Sequence, residues 1–162
     1  MVYVIGDIYG CYDQFVKLTN RIEKHDSQAK YILVGNIYGE GPQAAEVCGC
    51  AAAYVHANDT NAKYRMVRGE HEFQALCGYY NSKYAGTLEN ARREWEYAEQ
   101  YIINRFQFCK YFKTYSAYEG VIEFFKTLPY YIDITVENNR FIIVSSMRPD
   151  YMTTSLLFAW IT

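Results

Sequence analysis

The stretch Val2-Tyr3-Val4-Ile5-Gly6-Asp7-Ile8-Tyr9-Gly10 decides the fold. A short run rich in β-branched residues stops at a glycine and a carboxylate, the pattern of a buried strand opening into a polar loop. The same phrase returns twice. Tyr31-Ile32-Leu33-Val34 leads into Gly35-Asn36-Ile37-Tyr38-Gly39-Glu40-Gly41, and Tyr64 to Val67 leads through Arg68 into Gly69-Glu70-His71-Glu72. Between the first two strands, Cys11 to Lys24 sets Phe15, Leu18 and Ile22 at helical spacing. After the second, Pro42 suits a first helical turn, and an alanine-rich helix is expected to run to about His56. Asn58 to Lys63 is a polar turn. The order β-α-β-α-β predicts an α/β fold with a parallel sheet covered by helices. Open sheets of this kind build their sites at the carboxyl ends of the strands, so the three loops are expected to meet in one crevice.

Downstream the pattern changes. From Thr87 to about Phe112, apolar residues at Leu88, Ala91, Trp95, Ala98, Ile102, Phe106 and Cys109 predict a long amphipathic helix. Tyr97, Tyr101, Phe108 and Phe112 form a second stripe on it, and Tyr97, Tyr101 and Phe108 are the candidate interface residues. Tyr118 to Leu128 reads as a further helix stopped by Pro129. Tyr130 to Val136 and Arg140 to Val144 read as strands joined at Glu137-Asn138-Asn139 into a β-hairpin. Ser155 to Ile161 is a late apolar segment. One domain over residues 1–162 is expected, with a helical insert at about 73–128.

Composition narrows the function classes. With 51% hydrophobic residues and a net charge of -2, the 162-residue chain is not disordered. Its longest clean apolar run, Leu156 to Ile161, falls far short of the roughly 20 residues of a membrane span. No basic stretch precedes an apolar one at the N-terminus, and five cysteines without a CxxC pair suit a reduced chain, so a cytoplasmic protein is expected. Near-zero charge without a basic run speaks against nucleic-acid partners. Aromatics at 18%, with 18 tyrosines among them, fill cores but also favour interfaces.

The three loops resemble those of the metallophosphoesterase (calcineurin-like) superfamily, specifically its phosphoprotein phosphatase branch of bacteriophage and prokaryotic Ser/Thr phosphatases. That branch carries GDxHG, GDxxDRG and GNHE, against Gly6-Asp7-Ile8-Tyr9-Gly10, Gly35 to Gly41 and Gly69-Glu70-His71-Glu72. Phe124 to Ile132, Phe141 to Val144 and Arg148-Pro149-Asp150 are also similar, so the resemblance covers about Met1 to Asp150. It implies an αββα sandwich, here truncated at its C-terminus, and a phage or bacterial setting.

The chemistry of the motifs has eroded. Of the implied metal ligands, Asp7 is kept; Tyr9 stands for a histidine, Asn36 for the bridging aspartate and Glu70 for an asparagine. Gly39 replaces the aspartate that orients the catalytic histidine. Glu40 replaces the phosphate-clamping arginine, so no phosphate-binding residue is expected there. His71 and Glu72 are kept. Ser145-Ser146-Met147 stands where a histidine motif should follow the strand ending at Val144. Hydrolysis with two metals needs cations at both the attacking and the leaving oxygen. The expectation is therefore a pseudoenzyme with no cofactor, acting as a regulator or inhibitor by binding a protein, a ligand or a second copy of itself. The alternative is a residual phosphoesterase in which Asp7, Asn36 and Glu70 hold one weakly bound manganese or magnesium ion and His71 is a vestigial general acid. A phosphatase altered by design would show the same substitutions. His25 and His56 fall near expected helix ends, where a solvated role suits them, and Cys48 and Cys50 suit packing within a helix.

Overall fold

A computed structural model describes residues 1–81 and 108–145. Strands β1 (Val2–Ile5), β2 (Lys30–Leu33) and β3 (Tyr64–Met66) form one parallel sheet in that order. Helix α1 (Tyr12–His25) links β1 to β2, and α2 (Ala44–Tyr54) links β2 to β3. Helix α3 (Glu70–Asn81) follows β3, and a 3-10 turn (Phe108–Tyr111) precedes α4 (Tyr115–Thr127). Strands β4 (Ile132–Val136) and β5 (Asn139–Ile143) pair antiparallel as a separate two-stranded sheet. This is a mixed α/β fold.

Alternation along the strands sorts the two sides of the sheet. Leu33, Met66 and half-buried Ile5 join the main core with Val47, Ala51, Leu76, Phe108, Tyr118 and Phe125 from the helical side. Ile32 and Val67 pack instead on Ile132 of β4, with Ile134 and Ile143 alongside. Helices, sheet and second sheet therefore lie in layers. The second sheet covers β1 less fully than β2: Val4, paired with Ile32, is 50% exposed, whereas Ile32 is 2% exposed.

Several boundaries differ from the sequence expectation. Helix α2 begins at Ala44, two residues beyond Pro42, because the chain at Pro42 and Gln43 is still bound to the first loop through Gln43 N–H donating to Gly10 O at 3.0 Å. The last turn of the expected helix ending near Phe112 is the 3-10 turn, with Phe112 beyond it. Phe108, expected on an interface stripe, has 0% exposure and sits against Tyr38, Phe112 and Phe125. Its aromatic neighbours come from distant parts of the chain, so helical spacing alone assigned it to the wrong side. Helix α4 starts at Tyr115, where Thr114 Oγ1 accepts from Ala117 N–H at 3.2 Å as an N-cap. Tyr97, Tyr101, most of the expected long helix, and residues 146–162, including Ser155 to Ile161, lie outside the described residues.

Candidate functional site

Each parallel strand ends in one of the three loops, and backbone hydrogen bonds lace them together. Tyr9 N–H donates to Asn36 O at 3.0 Å, Gly10 N–H to Ile37 O at 2.8 Å, and Gly41 N–H to Tyr9 O at 2.8 Å. The second and third loops touch backbone to backbone at Gly35 and Gly69, where any side chain would collide with the other loop. Gly35 also needs its φ of +88°, which glycine adopts without strain.

A carboxylate locks the loops from beneath. Glu72 has 0% exposure. It accepts from Asn36 N–H at 2.8 Å, Ile37 N–H at 2.9 Å and Gly69 N–H at 2.8 Å. Burial pushes its carboxyl above the ordinary range, and these donors pull the other way by stabilising the anion. The kept Glu of the third motif is thus a clamp between two loops, tying backbone together rather than facing the crevice.

Asp7, Asn36 and His71 converge as expected. The Asn36 carboxamide donates from Nδ2 to Asp7 Oδ1 at 3.2 Å and accepts at Oδ1 from His71 N–H at 3.0 Å. Turning it over would set oxygen against oxygen and N–H against N–H, so its partners fix its orientation. Asn36 itself is in the left-handed region at φ +51°, as is Tyr9 at +53°. For a tyrosine that conformation is strained. Gly39 lies so close under the Tyr9 ring that a side chain there would strike it.

Burial first, then the charge of Asp7, raise the Tyr9 phenol above the ordinary value. The charges of Glu70 and Glu40 act on it in the same direction. Glu70 sits in the first turn of α3, its Oε1 accepting from Gln74 Nε2 at 3.2 Å. The His71 ring lies edge-on to Tyr9, centroids 5.0 Å apart. His71 Nδ1 is 2.7 Å from Tyr38 O, a carbonyl that only accepts, so Nδ1 carries a proton and Nε2 is the basic nitrogen of the neutral ring. Tyr38 returns the link by donating its hydroxyl to His71 O at 2.6 Å.

This donor set does not fit a pair of cations. Asp7 accepts at Oδ1 from the Asn36 amide, on a carboxylate that would need to face metal. Among the described residues no three His, Cys, Asp or Glu side chains gather as a metal ion would need. Asp7, Glu40 and Glu70 together make the crevice unfavourable for a phosphate dianion. Tyr38 and Glu72 were the residues that motif reading gave no role. Their roles depend on partners more than thirty residues away, and only the retained Glu72 carried any signal. No disulfide joins Cys11, Cys48, Cys50, Cys77 or Cys109, and burial raises the Cys48 thiol well above its usual value.

A family model described as calcineurin-like phosphoesterase matches residues 1–158. The chain is 35% identical over 75 residues to a symmetrical bis(5'-nucleosyl)-tetraphosphatase of Cronobacter sakazakii, covering 46% of this chain and 24% of that protein. It is 28% identical over 137 residues to the asymmetrical bis(5'-nucleosyl)-tetraphosphatase PrpE of Anoxybacillus flavithermus, covering 73% and 52%. It therefore spans about a quarter to about half of the length of these curated relatives. A solved structure of a hypothetical protein from Pyrococcus horikoshii shares the fold at a TM-score of 0.54 and 21% identity, over 88% of this chain and 54% of the other. Another, described as a candidate diadenosine tetraphosphatase, does so at 0.51 and 19%, over 88% and 48%.

Proposed function

We propose, from the premise that this chain belongs to the calcineurin-like phosphoesterase family, that its crevice acts by binding rather than by two-metal hydrolysis. The family normally uses divalent metals. The observation that supports binding is the Asn36 carboxamide, which spans from Asp7 to His71 where the family pattern has a bridging carboxylate. A neutral amide cannot offset two cations, and the Asp7 carboxylate beside it already accepts from that amide. The ligand class on this reading is a protein or a second copy of the chain, with the protein acting as regulator or inhibitor.

A second reading is hydrolysis, and the relatives favour it. Their names point to a dinucleoside tetraphosphate as substrate rather than to the phosphoprotein that the branch resemblance implied. On that reading a single cation would sit at Asp7, Asn36 and Glu70, and His71, in its form protonated at both ring nitrogens, would give the Nε2 proton to the leaving oxygen. The assay is release of nucleotide from diadenosine tetraphosphate, and of nitrophenolate from p-nitrophenyl phosphate, in excess manganese. Binding predicts rates equal to manganese alone. Saturable turnover that Asp7→Ala abolishes would replace the binding reading with the hydrolytic one.

A further inference from the structure

We infer that the side chain of Asn36 takes the structural place of a cation, so that the three crevice loops assemble without metal. Every polar group of this residue reaches one of the other two loops. Its backbone oxygen accepts from Tyr9 N–H at 3.0 Å and its backbone N–H donates to Glu72 at 2.8 Å. Its carboxamide holds Asp7 at one end and the His71 backbone at the other. A metal centre built on these loops would draw the same three elements together through charge. Here the hydrogen-bond donors and acceptors of one buried residue do so.

The chemistry makes the choice of amide over carboxylate consequential. An aspartate at position 36 keeps an acceptor for His71 N–H. It also sets a second carboxylate oxygen at hydrogen-bond distance from Asp7, with Glu72 just behind, and like charges so placed cannot all stay ionised without a cation. Asn36→Asp should therefore convert a metal-indifferent crevice into a metal-dependent one.

The test is thermal unfolding of the full chain in excess EDTA and in millimolar manganese, with amide exchange as a second readout. The wild-type melting temperature is expected to be the same in both. Asn36→Asp is expected to melt lower than wild type in EDTA and to recover part of the loss in manganese, as a ligand bound only by the native state requires. Asn36→Gly removes the carboxamide without charge and suits the φ of +51°. It is expected to fold, to be indifferent to manganese, and to exchange the His71 amide roughly tenfold faster, the effect of about one lost hydrogen bond. It decides the matter if Asn36→Asp fails to fold. The idea is overturned if Asn36→Asp melts like wild type in EDTA. It is equally overturned if Asn36→Gly leaves the His71 amide fully protected, or if manganese raises the wild-type melting temperature saturably and Asp7→Asn abolishes the rise. Turnover decides the binding reading; melting and amide exchange decide this one.

Discussion

Glu72 carries the clearest consequence at the scale of one residue. Its carboxylate accepts three backbone N–H groups with no room for a donor. Glutamine has nearly the same shape but offers one acceptor oxygen and an NH2 group, so it must aim N–H at N–H and leave at least one buried amide unpaired. Glu72→Gln is expected to cost about 2–4 kcal/mol of stability, from one or two unmet buried groups. Denaturant unfolding checks this; a variant within experimental error of wild type would show that the clamp is redundant. Motif reading kept Glu72 in its place but had no role for it, since its partners lie at Asn36 and Ile37, on a loop that only tertiary structure brings near. Asp7, Asn36 and His71 were different. Each sits in a glycine loop after a strand, and parallel strands put those loops side by side.

At the scale of the element, local signals gave strand and helix identity, and tertiary contacts set the ends. The hairpin shows both. Its turn consists of Glu137 and Asn138 alone, at φ +49° and +67°, while Asn139 pairs with Val136. Two successive left-handed residues define a type I′ turn, which prefers Asn-Gly to Glu-Asn. Replacing Glu137-Asn138 by Asn-Gly is expected to stabilise the chain by about 0.5–1 kcal/mol, because glycine and asparagine adopt these angles with less strain than glutamate. A rise in the urea midpoint at unchanged slope checks it; a fall would mean that the Glu137 side chain matters elsewhere. The Asp133–Arg140 pair across the hairpin, 2.5 Å at its shortest, is exposed and adds little to that balance. Helix α3 falls within the helical insert expected from about residue 73 but begins earlier, at Glu70. Its buried Ala75 and Leu76 with Tyr79 alongside carry a helical spacing, yet the motif Gly69-Glu70-His71-Glu72 drew the eye to a loop where the helix has already begun at Glu70.

For the whole molecule, the joint between the α1 layer and the parallel sheet is polar as well as apolar, and sequence gave no sign of it. Tyr31 on β2 and Tyr64 on β3 stack with ring centroids 4.8 Å apart. Both hydroxyls reach Glu23 Oε1 of α1, at 3.4 and 3.5 Å, and Lys63 Nζ meets the same oxygen at 2.9 Å. Tyr31 also donates to Thr19 O at 3.3 Å. Burial first, then the Glu23 charge, push both phenols from 10.0 up to about 12. A raised folded value means that the native state holds the proton more tightly than the unfolded chain does. The resulting stability is complete below pH 10 and is lost as pH rises from there through about 12, when each phenol would ionise against Glu23. Unfolding midpoints measured across that window are expected to fall. The double variant Tyr31→Phe with Tyr64→Phe has no phenol to ionise at this joint, so it should start lower by the lost hydrogen bonds and decline less steeply with pH. Equal slopes for variant and parent would place the alkaline loss in other tyrosines and leave this joint without a pH-dependent role.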